Sequence, residues 1–593
     1  MQKRNEIEEK YKWDLSSYFK SDDQWQNELE KVKPMYDRLE TFEGKLDNRE
    51  DILNCLVLDK EISEIVGRLY VYISLKVKED GKNNFYQNLS NKLEKFLSEK
   101  SPRVAFITSE LNGLSDDFLT SLSNDKAFFD FDLYLKHIIR NKAHMLPKNE
   151  EKLLAAMGEC VGGAGDIFDM IDAVDIKFDD VTDNDGKKYP LNNANYYTYL
   201  QSGDKKLRET AFKNLNGGYG KLNYTLGAIY LNNIKTDFTL AKVKKFQSSF
   251  EQSLFYEEVD SSVYQTLIDE VSRNRNSFYR YYENKRKALG LDVFNNYDIN
   301  AKLSCKNNHV YTYDEAFDIV INALSVLGED YTNVLKTAKE KRWIDVMPNE
   351  NKDTGAFSWG AYGANPVVML NFDGTINSVF TLAHELGHMM HTFYSNKNLP
   401  STKAGYEIFV AEVASTVNEM ILAKYLLKNA VATDERLFYM EYILNMFQST
   451  VNRQTMFAEF EKIAHAEYEN GGDVTTQALN NIYIMLCKKY FGDKVNLVDE
   501  LKYEWSRIPH FYTSFYVYKY ATGLISALCI SNKVLSSDKS AIDNYKKFLQ
   551  SGATKPPVEL LCIAGADLSD NNTFKFAFEF IDKTLDEWDK ICK

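Results

Sequence analysis

The chain has 593 residues, too many for one compact core, and its 44% hydrophobic and 27% charged residues are typical of a globular protein rather than a disordered one. Its net charge of −14 disfavours nucleic acid as a partner, because phosphate backbones bind basic patches. Proline is scarce, with 10 residues in the whole chain, and this favours long uninterrupted helices.

Cysteine use and hydropathy indicate the cellular compartment. The seven cysteines are scattered, odd in number and without a CxxC spacing, so we expect neither a disulfide framework nor a cysteine-bound metal. The first residues, MQKRNEIEEKYKWDLSSYF, lack the apolar segment of a signal peptide, and no run reaches the about 18 apolar residues that span a membrane. We therefore expect a cytoplasmic protein without a membrane partner.

Apolar residues three and four positions apart predict helices along most of the chain, and hence a mainly α fold. In chain order, the clearest helical segments are 51–77, 262–290 with Gly290 at its end, 313–340 with a break near Gly328, and 545–565 with a break at a Pro-Pro step. Strand signals are local, at 174–191 around an Asp-Gly turn and at VVMLNF, 367–372. Polar breaks near 115 and 186–202 predict three regions, 1–115, 116–186 and 200–590.

Three of the eight histidines fall in the stretch TLAHELGHMMH, 381–391. His384 and His388 are spaced as in the motif H-E-x-x-H, which on a helix places two imidazoles on one face, where they can bind one Zn²⁺. Glu385 then lies beside the open coordination position, as a general base for a water molecule. Asn377 or Ser378 is expected to cap this helix, and Gly387 in its middle predicts a second backbone packed closely against it.

Catalytic zinc requires a third protein ligand. The continuation H-x-x-G-x-x-H fails here, because positions 391 and 394 are His and Tyr, so the ligand set should be two histidines and a glutamate. The next helix, 405–430, offers Glu407, Glu412 and Glu419. We choose Glu412, because its apolar sequence neighbours make an unpaired carboxylate costly there.

Two further residues of these helices, Glu419 and His391, are expected to support the site from outside the ligand set. Glu419 shares a helix face with Glu412 and is expected to accept a hydrogen bond from a ligand histidine, although an ordinary surface carboxylate is the alternative. His391 is expected to pack or to support the site from outside the ligand set rather than to bind metal.

Several stretches resemble the thimet-oligopeptidase-like zinc peptidases, and in particular their oligoendopeptidase F branch. The most specific are FTLAHELGHMMH, 380–391, and FVAEVASTVNE, 409–419. Further stretches in matching order are YKWDLSSYF (11–19), HIIRNKAHMLPKNEEKLLA (137–155), RWIDVMPNENKDTGAFSWGAYGANPVVMLNF (342–372) and RIPHFYTSFYVYKYATG (507–523). The resemblance therefore covers almost the whole chain.

This resemblance implies one Zn²⁺ per chain held by His384, His388 and Glu412, with Glu385 as general base. It implies a large helical ellipsoid with a deep central channel, a small β-sheet beside the zinc helix, and short unstructured peptides as substrates. It also identifies 116–186 as an oligoendopeptidase F N-terminal-type domain and 200–590 as the zinc peptidase catalytic domain. Monomer and homodimer both stay open.

The late segment 507–523 is rich in tyrosine, and tyrosine is a neutral hydrogen-bond donor at pH 7. Such a donor stabilises the oxyanion that forms in peptide hydrolysis. The resemblance assigns substrate and oxyanion contacts to a histidine and tyrosines of this segment. We select His510, followed by Tyr516 and Tyr520, which are spaced by one helical turn; the alternative is that these aromatics only line the core or a channel.

The segment PVVMLNF, 366–372, is expected to form an edge strand with which an extended peptide pairs. The alternative for this segment is a strand with a purely structural role. Two alternatives to the endopeptidase also stay open at this point. One is an exopeptidase on the same scaffold, and the other is a peptide-binding protein without catalysis.

Overall fold

A computed structural model describes residues 2–303, 309–536 and 538–592. Helices dominate these residues, and the strands form two small sheets, so the predicted mainly α fold is confirmed. Among the described helices, none is sufficiently long and apolar to cross a membrane. Six cysteines carry free thiols, and Cys305 lies outside the described residues.

The described residues form the following α-helices: α1 (Asp22–Glu40), α2 (Arg49–Glu79), α3 (Asn84–Val104), α4 (Phe106–Asn112), α5 (Asp116–Ser123), α6 (Asp132–Asn141), α7 (Lys148–Val161), α8 (Gly163–Met170), α9 (Asn193–Leu200), α10 (Lys205–Lys221), α11 (Asn223–Val243), α12 (Ser249–Glu257), α13 (Ser261–Arg273), α14 (Arg275–Ala288), α15 (Tyr313–Leu324), α16 (Glu329–Glu340), α17 (Ile376–Asn398), α18 (Ser401–Ala404), α19 (Ile408–Asn429), α20 (Thr433–Phe447), α21 (Arg453–Glu469), α22 (Thr476–Phe491), α23 (Tyr518–Leu535), α24 (Lys539–Leu549), α25 (Pro557–Ile563) and α26 (Asn571–Ile591). The strands are β1 (Val181–Thr182), β2 (Lys188–Tyr189), β3 (Ile344–Asp345), β4 (Phe357–Trp359) and β5 (Val367–Met369).

The chain divides into two compact units, each built from segments that are distant in sequence. The first unit contains Met1–Met145, Asn308–Leu422 and Ile530–Ala566, and the second contains Leu146–Asn307, Ala423–Cys529 and Asp567–Lys593. The domain boundaries expected from the sequence, near 115 and 186–202, stay predictions.

Helices of the first unit follow the predicted pattern. The segment 51–77 lies within α2, which begins after Asn48, whose side chain accepts a hydrogen bond from the Asp51 N–H, and its apolar stripe is buried. The predicted pair over 313–340 is α15 and α16. Gly328 separates them with a φ of 97°, a conformation that L side chains rarely adopt. The Pro-Pro break is also confirmed, since α24 ends before it and α25 begins at Pro557.

A three-stranded sheet in the first unit has the order β3-β5-β4. Strand β5 is parallel to β3 and antiparallel to β4, with Val368 opposite both Ile344 and Ser358. The prediction that 366–372 forms an edge strand is therefore wrong, because β5 is hydrogen-bonded on both sides. Its continuous apolar run, which is fully buried, fits a central strand better than an exposed edge.

Predicted elements of the second unit are largely confirmed. Segment 262–290 forms α13 and α14, with a break at Asn274 that the sequence periodicity did not predict, and Gly290 follows with a φ of 65°. Strands β1 and β2 pair antiparallel within 174–191, as expected.

Candidate metal centre

Helix α17 carries the H-E-x-x-H motif. Thr375 caps it, because the side chain of Thr375 accepts a hydrogen bond from the Ser378 N–H, so the prediction of Asn377 or Ser378 as the cap is wrong. The helix packs against β4 and β5, which confirms a small sheet beside it. Apolar residues on either side of the motif are buried and hold the helix in the first unit.

Gly387 lies where α17 and α19 approach most closely. A Cβ atom at this position would lie 2.6 Å from the carbonyl oxygen of Ala414 and 2.6 Å from Cα of Ser415. The absence of a side chain therefore allows the two backbones to touch, as the sequence predicted. This contact places Glu412, at the start of α19, opposite the two histidines.

The three predicted ligand residues form one group in the first unit. Nε2 of His384 lies 3.2 Å from Nε2 of His388, and both nitrogens lie 3.4 Å from Oε2 of Glu412. Ligands at about 2.0–2.2 Å from a tetrahedral zinc ion are separated by about 3.3 Å. The three atoms therefore fit one zinc ion, and among the described residues they are the one such cluster of at least three potential ligands.

Neighbouring side chains orient this group. Glu419 contacts Nδ1 of His384, so that Nε2 is directed towards the other two ligand atoms. Asn418 donates a hydrogen bond from Nδ2 to the carbonyl oxygen of Ala383, at 3.1 Å, and accepts one from the hydroxyl of Tyr331, at 3.1 Å. Helix α19 is thereby fixed to the turn of α17 that carries His384. Sequence reasoning identified Glu419 but missed Asn418.

His391 lies outside the ligand group. Its ring stacks on Tyr406 at 3.8 Å between centroids and is also close to Phe548. Burial lowers the pKa of His391 to about 3, so the imidazole is neutral. The predicted packing role fits this position.

The charges around the group favour a bound cation. Burial opposes charge on His384, but Glu419 and the neighbouring carboxylates raise its pKa to about 9. Burial likewise opposes ionisation of Glu412, but His388 and His384 lower its pKa to about 2. Two imidazoles face the carboxylates of Glu385, Glu412 and Glu419, an excess of negative charge that a divalent cation would balance.

Glu385 differs from the other carboxylates of the site. Its side chain is buried, and among the described residues its Oε2 has no hydrogen-bond partner. Burial raises the pKa of Glu385 above its usual value. A carboxylate with a raised pKa and an unpaired oxygen is a candidate general base.

The predicted residues of the late segment form an aromatic cluster in the second unit. Tyr520 OH lies 3.2 Å from Nε2 of His510, and the ring of Tyr516 lies 5.3 Å from that of Tyr520 and 6.0 Å from that of His510. Partial burial lowers the pKa of His510, so its ring is neutral at pH 7. Tyr516 and Tyr520 were expected one turn apart on a helix, but α23 begins at Tyr518, so Tyr516 precedes it.

The backbone immediately before Tyr516 is strained. Phe515 has a φ of 61°, which is rare for a bulky residue, and its N–H donates to Oε1 of Glu461 at 3.0 Å. Glu461 is fully buried on α21, and burial raises its pKa well above the usual value. This carboxyl holds the turn from which Tyr516 emerges, a contact between residues 54 positions apart that no local pattern indicates.

Two histidines on α17, a glutamate on α19 and a buried glutamate beside the histidines define a site of the metallopeptidase class. The model of Peptidase family M3 matches residues 198–580, and the model of Oligopeptidase F matches residues 110–178. Oligopeptidase PepF of Bacillus subtilis is 35% identical over 99% of this chain and 88% of its own length, and Group B oligopeptidase PepB of Streptococcus agalactiae is 32% identical over 99% and 98%.

Solved structures are similar along the whole chain. A crystal structure of a protein from Chlamydophila abortus has a TM-score of 0.95 and 32% identity and covers 100% of both chains. Oligoendopeptidase-F from Enterococcus faecium has a TM-score of 0.74 and 29% identity and covers 96% of this chain and 98% of its own. The chain belongs to peptidase family M3, in the oligoendopeptidase F group.

Proposed function

We propose that the chain is a zinc-dependent endopeptidase that hydrolyses internal bonds of short unstructured peptides. The observation that carries the proposal is the triangle of His384, His388 and Glu412 atoms, with edges of 3.2–3.4 Å, beside the unpaired oxygen of Glu385. The names of the relatives, which include oligopeptidase, support a preference for short peptides.

His384, His388 and Glu412 would hold one Zn²⁺, which when bound polarises a carbonyl group and lowers the pKa of water. Glu385 accepts a proton from the attacking water and later gives it to the leaving amine. Glu419 holds His384 in the orientation that leaves Nε2 available for the metal. Because Glu385 is buried, its carboxylate is poorly solvated and therefore more basic than one in water.

The aromatic cluster of the second unit would contact the substrate. Tyr520, Tyr516 and His510 offer O–H and N–H donors, which suit an oxyanion. Strand β4 is a further candidate for substrate binding, since in the described sheet it pairs with β5 on one side only. An extended peptide would add to its other side through backbone hydrogen bonds, without selecting a sequence.

Glu412→Ala should lose bound zinc, because two histidines alone leave the site one protein ligand short of three. Zinc content after dialysis, measured by elemental mass spectrometry, should fall to a small fraction of the wild-type value. Glu407→Ala is the matched control, since Glu407 is an exposed glutamate just before α19. A normal zinc content in Glu412→Ala would remove Glu412 from the ligand set.

Tyr520→Phe should lower kcat by about 10²-fold with little change in KM, as expected for a donor that acts mainly on the oxyanion. Steady-state kinetics with a quenched fluorescent peptide would measure both constants. Tyr224→Phe, which alters an 81% exposed tyrosine of the same unit, is the control. An unchanged kcat would make Tyr520 a structural residue.

A digest of a peptide library of about 5 to 30 residues, with and without a zinc chelator, tests the function as a whole. We expect internal cleavage of the shorter peptides, and we expect the chelator to abolish this cleavage. Trimming from one end would instead show an exopeptidase. Zinc-loaded protein that cleaves nothing would show a peptide-binding protein without catalysis.

We also propose that the protein is cytoplasmic. Cell fractionation, with an antibody that detects the protein in each fraction, tests this location. Both a monomer and a homodimer are compatible with the site, since all three ligand residues come from one chain.

A further inference from the structure

Three acidic side chains of the second unit bind the segment 514–519, which contains Tyr516 of the aromatic cluster. They are Asp237 on α11, Glu461 on α21 and Glu257 on α12. They lie 277, 54 and 261 positions from their partners in this segment. None of them belongs to the metal group, and the proposed hydrolysis assigns them no role.

Asp237 binds the first residue of this segment. Its Oδ2 accepts a hydrogen bond from the Ser514 hydroxyl at 2.6 Å and one from Nδ2 of Asn233 at 3.2 Å. Nδ2 of Asn233, one helical turn earlier on α11, also donates to the Ser514 hydroxyl oxygen at 3.2 Å. The Ser514 hydroxyl therefore donates to a carboxylate and accepts from an amide, and a hydrogen bond to a carboxylate is stronger than one between neutral groups. Helix α11 thereby fixes the start of the segment.

His465 on α21 connects Asp237 to Phe515, the strained residue of the segment. Nε2 of His465 lies 3.2 Å from Oδ2 of Asp237, and Nδ1 lies 2.9 Å from the carbonyl oxygen of Glu461. The imidazole ring, which is buried, packs against the ring of Phe515 at 4.7 Å between centroids. A bulky residue keeps a positive φ only where the surrounding structure holds it. Since the Phe515 N–H donates to Glu461, helix α21 holds both the backbone and the side chain of Phe515.

Glu257 binds two consecutive residues on the other side of Tyr516, at the start of α23. Its Oε2 accepts a hydrogen bond from the Tyr518 hydroxyl at 2.6 Å, and its Oε1 pairs with Nζ of Lys519. Nζ of Lys519 in turn lies 4.9 Å from the centroid of the Tyr516 ring. Because a cation is attracted to the face of an aromatic ring, Glu257 orients the Tyr516 ring through Lys519.

We propose that Asp237 is a positioning residue for Tyr516: it holds the turn 514–515, and this turn sets where the Tyr516 hydroxyl lies. The proposal rests on the proposed function, in which Tyr516 donates to the oxyanion. Such a donor acts only within hydrogen-bond distance, and a displacement of about 1 Å is sufficient to lower a rate by up to about 10²-fold. Asp237 is a better test than Glu461, because its side chain is 26% exposed, whereas Glu461 is fully buried and its loss would disturb the core.

Steady-state kinetics on Asp237→Ala measure the effect on the reaction. We expect kcat to fall by about tenfold with little change in KM, because the donor that moves acts on the oxyanion rather than on substrate binding. Asp237→Asn retains an acceptor oxygen for the Ser514 hydroxyl and should recover most of the loss. Asp582→Ala is the matched control, since Asp582 accepts from the Ser277 hydroxyl at 2.7 Å in the same unit but joins α14 and α26. A higher KM at unchanged kcat would overturn the proposal.

A double-mutant cycle with Tyr516→Phe separates positioning from a general structural effect. If Asp237 acts through the Tyr516 hydroxyl, Asp237→Ala should change kcat by less than about twofold once that hydroxyl is absent, because the two substitutions then remove the same contribution. A loss in the Tyr516→Phe background as large as in the wild type would overturn the proposal.

Hydrogen exchange measured by mass spectrometry tests the positioning without any peptidase activity. Asp237→Ala should speed exchange in fragments that contain 513–518 by about tenfold or more, since the Phe515 N–H loses protection when the turn opens. Fragments that contain 381–391 should exchange as in the wild type, and Asp582→Ala should change neither region. Unchanged exchange over 513–518 in Asp237→Ala would overturn the proposal.

This measurement also separates the two ways in which the kinetics can fail. If the wild type cleaves no peptide, the proposed function fails, and if Tyr516→Phe keeps its full kcat, the oxyanion role of Tyr516 fails. In both cases the exchange result alone decides whether Asp237 holds the turn. If Asp237→Ala does not fold, Ser514→Ala removes the same hydrogen bond and replaces it in each measurement, with Ser277→Ala as its control.

Discussion

Replacing Glu385 with glutamine should lower kcat by about 10²–10⁴-fold while the protein keeps its zinc. Glutamine has nearly the same shape, but its amide cannot take up the proton that a carboxylate accepts. The side chain lies outside the triangle of His384, His388 and Glu412, so the three proposed ligands stay in place. Because Oε2 of Glu385 has no partner among the described residues, the substitution breaks no hydrogen bond of that oxygen.

The measurement combines single-turnover hydrolysis of a short peptide with elemental analysis of the same sample. Glu407→Gln is the control, since this exposed glutamate lies outside the site. Full activity in Glu385→Gln would show that another group takes the proton. Loss of zinc in the same variant would place Glu385 among the metal ligands instead.

The grouping of the candidate metal site could be predicted from the sequence because its parts are local. His384 and His388 lie one turn apart on one helix, so the helical repeat alone brings them to one face, and Glu385 directly follows the first of them. Glu412 could be selected because its neighbours are apolar and a carboxylate among them needs a partner. Gly387 predicted that a second backbone packs closely against this helix, and α19 does so.

Contacts between distant segments could not be predicted in this way. Strand β5 is central because β3 and β4 come from separate parts of the chain, and its own sequence does not specify its neighbours. Glu461 meets Phe515 only after α21 and the late loop have folded together. Arg453 shares the carboxylate of Glu504 with Arg507, and Arg453 and Glu504, 51 positions apart, meet only in the fold.

Gly387→Ala should destabilise the protein and weaken zinc binding together. The added methyl group would lie 2.6 Å from backbone atoms of Ala414 and Ser415, and backbone cannot rotate away as a flexible side chain can. Helix α19 must then move away from α17 and carry Glu412 away from the histidines. We expect the free energy of unfolding to fall by about 1–3 kcal/mol and zinc affinity to fall by about 10–100-fold.

Chemical denaturation and zinc titration against a competing chelator measure the two effects. Gly67→Ala is the matched control: Gly67 lies in α2 of the same unit, and an added Cβ there meets no atom within 4 Å. That variant should gain up to about 1 kcal/mol, because alanine favours the helix over glycine. We expect Gly67→Ala to gain stability and to keep its zinc. If Gly387→Ala does the same, the close contact with α19 does not position Glu412.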